Sequence, residues 1–304
     1  MGASVYATRS VAVSQLLASQ HLNMTGSHQT GYLPIPAASV AALPSDADVI
    51  HAITSGEGLR VAFQPQYVLR SRRMVSAEAL LRWRHPQYGE VSPSVMIPMV
   101  SRLGLHLPLF KLVVTQVIDM LRCLRSIGAD MPIAVNASIN TVCEPGMADQ
   151  LSDTMWDACL PPRLLKIDMT VDLPVSDELC LSACLNAVRA KGFPLSLDDF
   201  GAGFSTLNLL VKMPFDEVKI DRAFIRDMTT NAQSHAIVAT IISLSRKLNM
   251  RLVAGGIENE STITALCRMG CHIGQGLILS RPMERTEFLK RHLEDSMATK
   301  LKVY

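Results

Sequence analysis

No run of apolar residues in this 304-residue chain approaches the ~18 needed to cross a bilayer. Near the N-terminus Arg9 precedes a short apolar run, Val11 to Ala18, but Ser14 and Gln15 break it, so it reads poorly as a secretory signal. These absences predict a cytoplasmic protein with no membrane partner. Net charge is also lacking: 29 Lys and Arg face 27 Asp and Glu, leaving +2. Domains whose main partner is a phosphate backbone are visibly basic. With no helix-turn-helix pattern either, direct DNA binding is not expected. The cluster Arg70, Arg72 and Arg73 reads as a solvated turn. None of the seven cysteines has CxxC spacing, which argues against a zinc site. Cys180/Cys184 and Cys267/Cys271 are four apart, as on one helical face. They read as small core hydrophobes in a reducing compartment.

What is present is apolar content. Hydrophobic residues make up 48% and charged residues 18%, enough for a large core. Residues 1–45, rich in Ser, Ala, Gly and Pro, predict a flexible segment with one short helix near Ser10 to Gln20. From residue 46 to 297 the pattern is a strand–helix alternation, and 298–304 form a tail. Strands are predicted at 61–66, 74–83, 132–136, 164–169, 195–199, 217–220, 251–254 and 272–274. Helices are predicted at 92–103, 107–126, 147–158, 177–191, 205–212, 233–248, 261–269 and from Glu284. Such alternation predicts an α/β fold with a parallel sheet, and seven or eight units fit a (β/α)8 barrel. A doubly wound sheet is the runner-up, but no Gly-rich phosphate fingerprint follows the first strand.

The stretch Pro194 to Ser205 organises the rest. A short apolar run ends at Asp198-Asp199 and a Gly-containing turn follows. Adjacent carboxylates at a strand tip repel each other unless a cation lies between them, and hard divalent metals prefer such oxygens. The plain alternative is an Asx turn that ends a strand. The other strand ends deliver Glu78 and Arg82, Asn136, Asp168, Lys219 and Asp221, and Gln275. Together these suit metal-assisted phosphoryl chemistry at one barrel mouth.

Ser76-Ala77-Glu78-Ala79-Leu80-Leu81-Arg82-Trp83 resembles the signature of the EAL domains, bacterial phosphodiesterases of cyclic di-GMP. The resemblance runs from about residue 47 to 295. It continues in Phe63-Gln64-Pro65-Gln66, Val135-Asn136-Ala137-Ser138, Asp198 to Leu207, Val218-Lys219-Ile220-Asp221, Gln275 and Arg281-Pro282-Met283. It implies a TIM-like (β/α)8 barrel of EAL type with an irregular early strand. Active members resemble one another in using two Mg2+ or Mn2+ ions to hydrolyse cyclic di-GMP to pGpG. By that resemblance Glu78, Asn136, Asp168, Asp198 and Asp199 are the metal positions. Lys219 would orient or deprotonate water and Gln275 would support the ligands, while Gln64, Arg82 and Asp221 would hold the nucleotide. The resemblance also implies a homodimer through Leu207, Leu209, Leu210 and Val211.

Three positions depart from the family pattern. Gly255 stands where VAEGVE carries a catalytic Glu, and Glu258 keeps only that motif's second Glu, three residues later. Asp168 replaces a Glu and is one CH2 shorter, a displacement of about 1.5 Å. Val171 replaces a Glu that braces the 198–205 loop. Misplacement by ~1 Å can cost ~100-fold in rate. The expectation is therefore a catalytically weak or inactive regulator of gene expression or another output. It would act through cyclic di-GMP or a protein partner, with Mg2+, Mn2+ or no cofactor. The alternative is a working phosphodiesterase that compensates through Asp168 and a water-bridged Glu258.

Overall fold

An antiparallel pair starts the barrel. β1 (Leu59–Val68) lies against β2 (Met74–His85), with Gln64 opposite Glu78. In this computed structural model the described residues are 43–171, 175, 177–201 and 207–301. The helix expected near Ser10 to Gln20, the tip of the 198–205 loop and the end of the C-terminal tail lie outside them.

After β2 come β3 (Gly89–Val91), α2 (Pro93–Leu103) and α3 (His106–Ser126), which follow α1 (Asp46–Ser55) in chain order. Strand–helix units then repeat: β4 (Ile133–Ala137), α4 (Ile139–Val142), α5 (Met147–Asp157), β5 (Leu165–Met169) and α6 (Glu178–Ala190). The chain continues with β6 (Leu195–Phe200), α7 (Leu207–Lys212), β7 (Glu217–Ile220), α8 (Arg222–Asp227) and α9 (Ala232–Lys247). It closes with β8 (Arg251–Ala254), α10 (Glu260–Met269), β9 (Ile273–Gly274) and α11 (Arg285–Leu301).

The sheet order is β1-β9-β8-β7-β6-β5-β4-β2-β3, and the β1–β2 pairing closes it into a ring with β3 outside. From β2 through β4 to β9 successive neighbours in the ring run parallel, whereas β1 runs antiparallel to both of its neighbours. β1 is thus the irregular early strand. The predicted α/β barrel is the observed fold.

Each helix buries one face, as amphipathic helices do. α3 alone contributes Leu109, Phe110, Val113, Val114, Val117, Ile118, Met120, Leu121 and Leu124. A smaller cluster forms where α1 packs Val49, Ala52 and Ile53 against Trp83, Met96 and Val100. α1 is held by a capping box between Ser45 and Asp48, and a left-handed Gly56 ends it.

The barrel interior carries charge in two layers. Lys166 and Asp168 alternate along β5, and Glu217 and Lys219 along β7, so each pair shares a face. The lower layer pairs Lys166 Nζ with Glu217 Oε1 at 2.5 Å, both fully enclosed. The upper layer is the site.

Candidate metal and nucleotide site

Lys219 is the hub. Its Nζ donates to Asp168 Oδ2 at 2.7 Å, Asp198 Oδ2 at 2.8 Å and Glu78 Oε2 at 3.0 Å. Four strands therefore meet at one ammonium. Asn136, at the exposed end of β4, donates from Nδ2 to Glu78 Oε1 at 3.0 Å. Gln275 donates to Glu78 Oε2 at 2.8 Å and to Gln64 Oε1 at 2.9 Å. Behind it Gln66 donates to Gln275 Oε1 at 2.9 Å and accepts from Ser76 Oγ. Sequence reading missed Gln66, Ser76 and the Lys166–Glu217 pair beneath. The alternation of Gln64 and Gln66 along β1 was the available signal.

The predicted residues thus gather at one mouth, with some differences. Glu78 lies inside β2 rather than at its end, because β2 continues to Arg84 and His85 to pair with β3. Asp199 is exposed, at a left-handed φ of 49°, within a β-bulge that interrupts the β6–β7 register between Leu197 and Phe200. Its amide donates to Asp198 Oδ1 at 2.8 Å. Asp221 is the N-cap of α8, accepting from the Ala223 amide at 2.6 Å. Arg82 is half-buried and donates to the Leu81 carbonyl. It lines a cavity of about 340 Å3 with Asn136, His106, Ser138, Thr141 and Thr170. Gln64 donates to the Ser280 carbonyl. Glu258 is exposed beyond β8, where its charge acts on Arg226. It is not among the hydrogen-bonded groups around Lys219.

Gly255 follows β8 directly and offers no side chain. It has no left-handed φ, and an added Cβ would meet only the Ile220 carbonyl oxygen, at 3.2 Å. Gly256 differs, with φ of 68° and Arg222 against it. Val171 is buried in the main core.

Burial sets the electrostatics. It pushes the Asp168 carboxyl up to about 7, against the pull of Lys219 and with help from Asp198 and Glu78. Burial would raise Glu78 too, but Lys219 and the hydrogen bonds from Asn136 and Gln275 hold it below the usual range. Burial opposes the Lys219 ammonium, yet the surrounding carboxylates keep it well above its ordinary value. Partial desolvation at the rim, with Asp198 and Asp221 nearby, lifts Asp199 to about 6.

The donor set fits a divalent cation. Oxygens of Glu78, Asp168 and Asp198 all lie within 4.8 Å of one another. Asp168 Oδ1 is buried with no hydrogen-bond partner. An orphaned carboxylate oxygen beside two others is what a hard cation takes up.

A mostly parallel α/β barrel with an acidic mouth around one lysine defines a class of barrels suited to metal-assisted phosphoryl chemistry. Residues 46–282 match the EAL domain family, and the chain belongs to that family. It is 32% identical over 250 residues to the cyclic di-GMP phosphodiesterase RocR of Pseudomonas aeruginosa, covering 82% of this chain and 64% of that protein. It is 34% identical over 228 residues to the bifunctional diguanylate cyclase/cyclic di-GMP phosphodiesterase MucR of the same organism, covering 75% of this chain and 33% of that protein. The chain thus spans about a third to two thirds of the length of these relatives. Among solved structures, the PaMucR phosphodiesterase in complex with c-di-GMP superposes with a TM-score of 0.75 at 32% identity. That match covers 80% of this chain and 99% of the solved one. No helix among the described residues is long and apolar enough to cross a membrane.

Proposed function

We propose that this chain is a regulatory EAL-domain protein with little or no hydrolytic activity, which binds cyclic di-GMP or a protein partner and signals by that binding. The observation that carries this reading is Gly255. β8 lies between β7, which bears Lys219, and β9, which leads into Gln275, and it ends without a carboxylate. The other strands around Lys219 still supply theirs.

Glu78, Asp168 and Asp198, with Asn136 and Asp199 beside them, would hold Mg2+ or Mn2+, which when bound would polarise a phosphoryl oxygen and acidify a water. The chain's own residues orient the nucleotide. Arg82, on the wall of a largely apolar cavity, would meet a ligand phosphate, Lys219 sets the carboxylates in place, and Gln275 braces Glu78. Output, on gene expression or another target, would pass through a partner in the cytoplasm. Exposed Leu207 and Val211 offer a homodimer contact, whereas Leu209 and Leu210 are used in the barrel's own core.

The orphaned Asp168 oxygen favours a second reading, a slow Mg2+- or Mn2+-dependent phosphodiesterase releasing pGpG. Incubation with cyclic di-GMP and Mn2+, followed by chromatography for pGpG, separates the two. Equilibrium dialysis of the nucleotide runs in parallel. Binding without turnover supports the receptor reading, and robust turnover would falsify it.

A further inference from the structure

A second cluster of metal-competent groups lies away from the acidic one. Cys143 is the C-cap of α4, and Cys180 and Cys184 stand one turn apart on α6. Their sulfurs all lie within 4.8 Å of one another. Two are half-buried and Cys180 is exposed. As expected of small core thiols, Cys143 and Cys184 pack against the main core, whereas Cys180 beside them is exposed. Cys271 is buried in that core as well, but the three clustered thiols reach solvent at Cys180.

We propose that Cys143, Cys180 and Cys184 form a binding site for a thiophilic d10 cation, Zn2+ or Cu+. Three thiolates around an ion at ~2.3 Å lie roughly 4 Å apart, so the observed spread needs a contraction of under about 1 Å. Soft sulfur ligands select this class of ion over the hard cations that suit the acidic mouth. Among the described residues no His, Asp or Glu completes the sulfur group. Cu+ is satisfied by three sulfurs. Zn2+ takes a fourth ligand from water, through the side that Cys180 leaves open. Burial, with the neighbouring thiols, pushes Cys143 up to about 12, and burial raises Cys184 as well. Each S–H bond gives way to an S–metal bond and releases its proton, three in all. No oxidant is needed.

Position gives the site a consequence. α4 begins just after β4, which supplies Asn136, and α6 follows the connection from β5, which supplies Asp168. An ion tying the end of α4 to α6 would pin the segments that follow two site residues.

The test uses the full chain, reduced and anaerobic, titrated with Zn2+ or Cu+ against a competing chelator. One equivalent should bind to the wild type and to Cys159→Ser, which alters an exposed thiol elsewhere. Affinity should fall at least tenfold in Cys180→Ser, an exposed position where folding is not at issue, and further in the triple serine variant. Co2+ should give a thiolate charge-transfer band, which the carboxylate cluster cannot produce. Zn2+ should raise the melting temperature and release protons in the wild type and Cys159→Ser, and do so far less in the triple serine variant. Equal binding by the wild type and Cys180→Ser, or a Co2+ complex without the thiolate band, overturns the proposal.

Discussion

Asp168→Asn isolates the strain stored at the site. The wild-type carboxyl is fully buried, and its usual value of 3.8 is raised to about 7. The sign follows from that direction. A carboxyl raised in the folded state contributes its full stability below the unfolded value, and that contribution drains away as pH climbs through the folded value. Between pH 5 and about 7 each unit costs the wild type roughly 1.4 kcal/mol relative to an amide that does not titrate, or about 3 kcal/mol in total. The amide keeps the shape and still accepts from Lys219, which retains Glu78 and Asp198 as ion-pair partners. Any fixed packing cost of the amide cancels in the comparison between the two pH values. The variant's melting temperature relative to wild type should therefore rise by roughly 6–12 °C between pH 5 and pH 8, for a domain of this size. Thermal melts and urea titrations at both pH values measure it. Mn2+ should stabilise the wild type more than the variant, because the substitution removes an oxygen anion. A gap that fails to widen toward pH 8 would refute the view that desolvation dominates at Asp168.

Lys219→Met leaves two buried carboxylates and Asp198 without their cation, and should cost roughly 3–5 kcal/mol in urea unfolding at pH 8; a loss below about 1 kcal/mol would contradict the hub role. Gly255→Glu should fold, gain Mn2+ affinity and show measurable pGpG formation, more so when combined with Asp168→Glu and Val171→Glu, and a folded triple variant without turnover would defeat the idea. Gly256→Ala, at φ of 68° with Arg222 against it, should lose about 1 kcal/mol or more where Gly255→Ala loses little, as read by thermal melts. Leu207→Asp with Val211→Asp should give a well-folded monomer in analytical ultracentrifugation, whereas wild type sediments as a dimer; a monomeric wild type removes the contact.

The long elements were legible in the sequence. α3 and α9, at His106–Ser126 and Ala232–Lys247, fall within a residue of the predicted 107–126 and 233–248. Short elements were not. α4 has four residues and α8 has six, too few for a helical period to show, and β3 has three. β1 extends beyond the predicted 61–66 because it is buried on both faces, which erases alternation. Where β2 ends depends on its pairing with β3, and a pairing partner cannot be read from a strand's own residues. The same holds for the thiols. Cys180 and Cys184 announce a shared helical face, but Cys143 joins them only through the contact of α4 with α6. Glu258 was weighed on motif alone, and the turn after β8 leaves it exposed toward Arg226.

Charge balance bears on Gly255. The upper barrel layer holds one ammonium and three carboxylates, so with all groups ionised it carries two negative charges. Burial makes that state costly, and the remedy within reach of the protein alone is a proton on Asp168. A carboxylate at position 255 would add a third uncompensated charge to the same mouth and make a divalent cation close to obligatory. Gly255 removes that demand. Val171, in the segment after β5, is an apolar residue of the main core. Gly255 leaves intact the cavity beside Arg82 and the hydrogen bonds that join Gln64, Gln275 and Gln66. Under the regulatory reading proposed above, a glycine at 255 would make the acidic mouth cheaper to hold without metal while sparing the cavity beside Arg82.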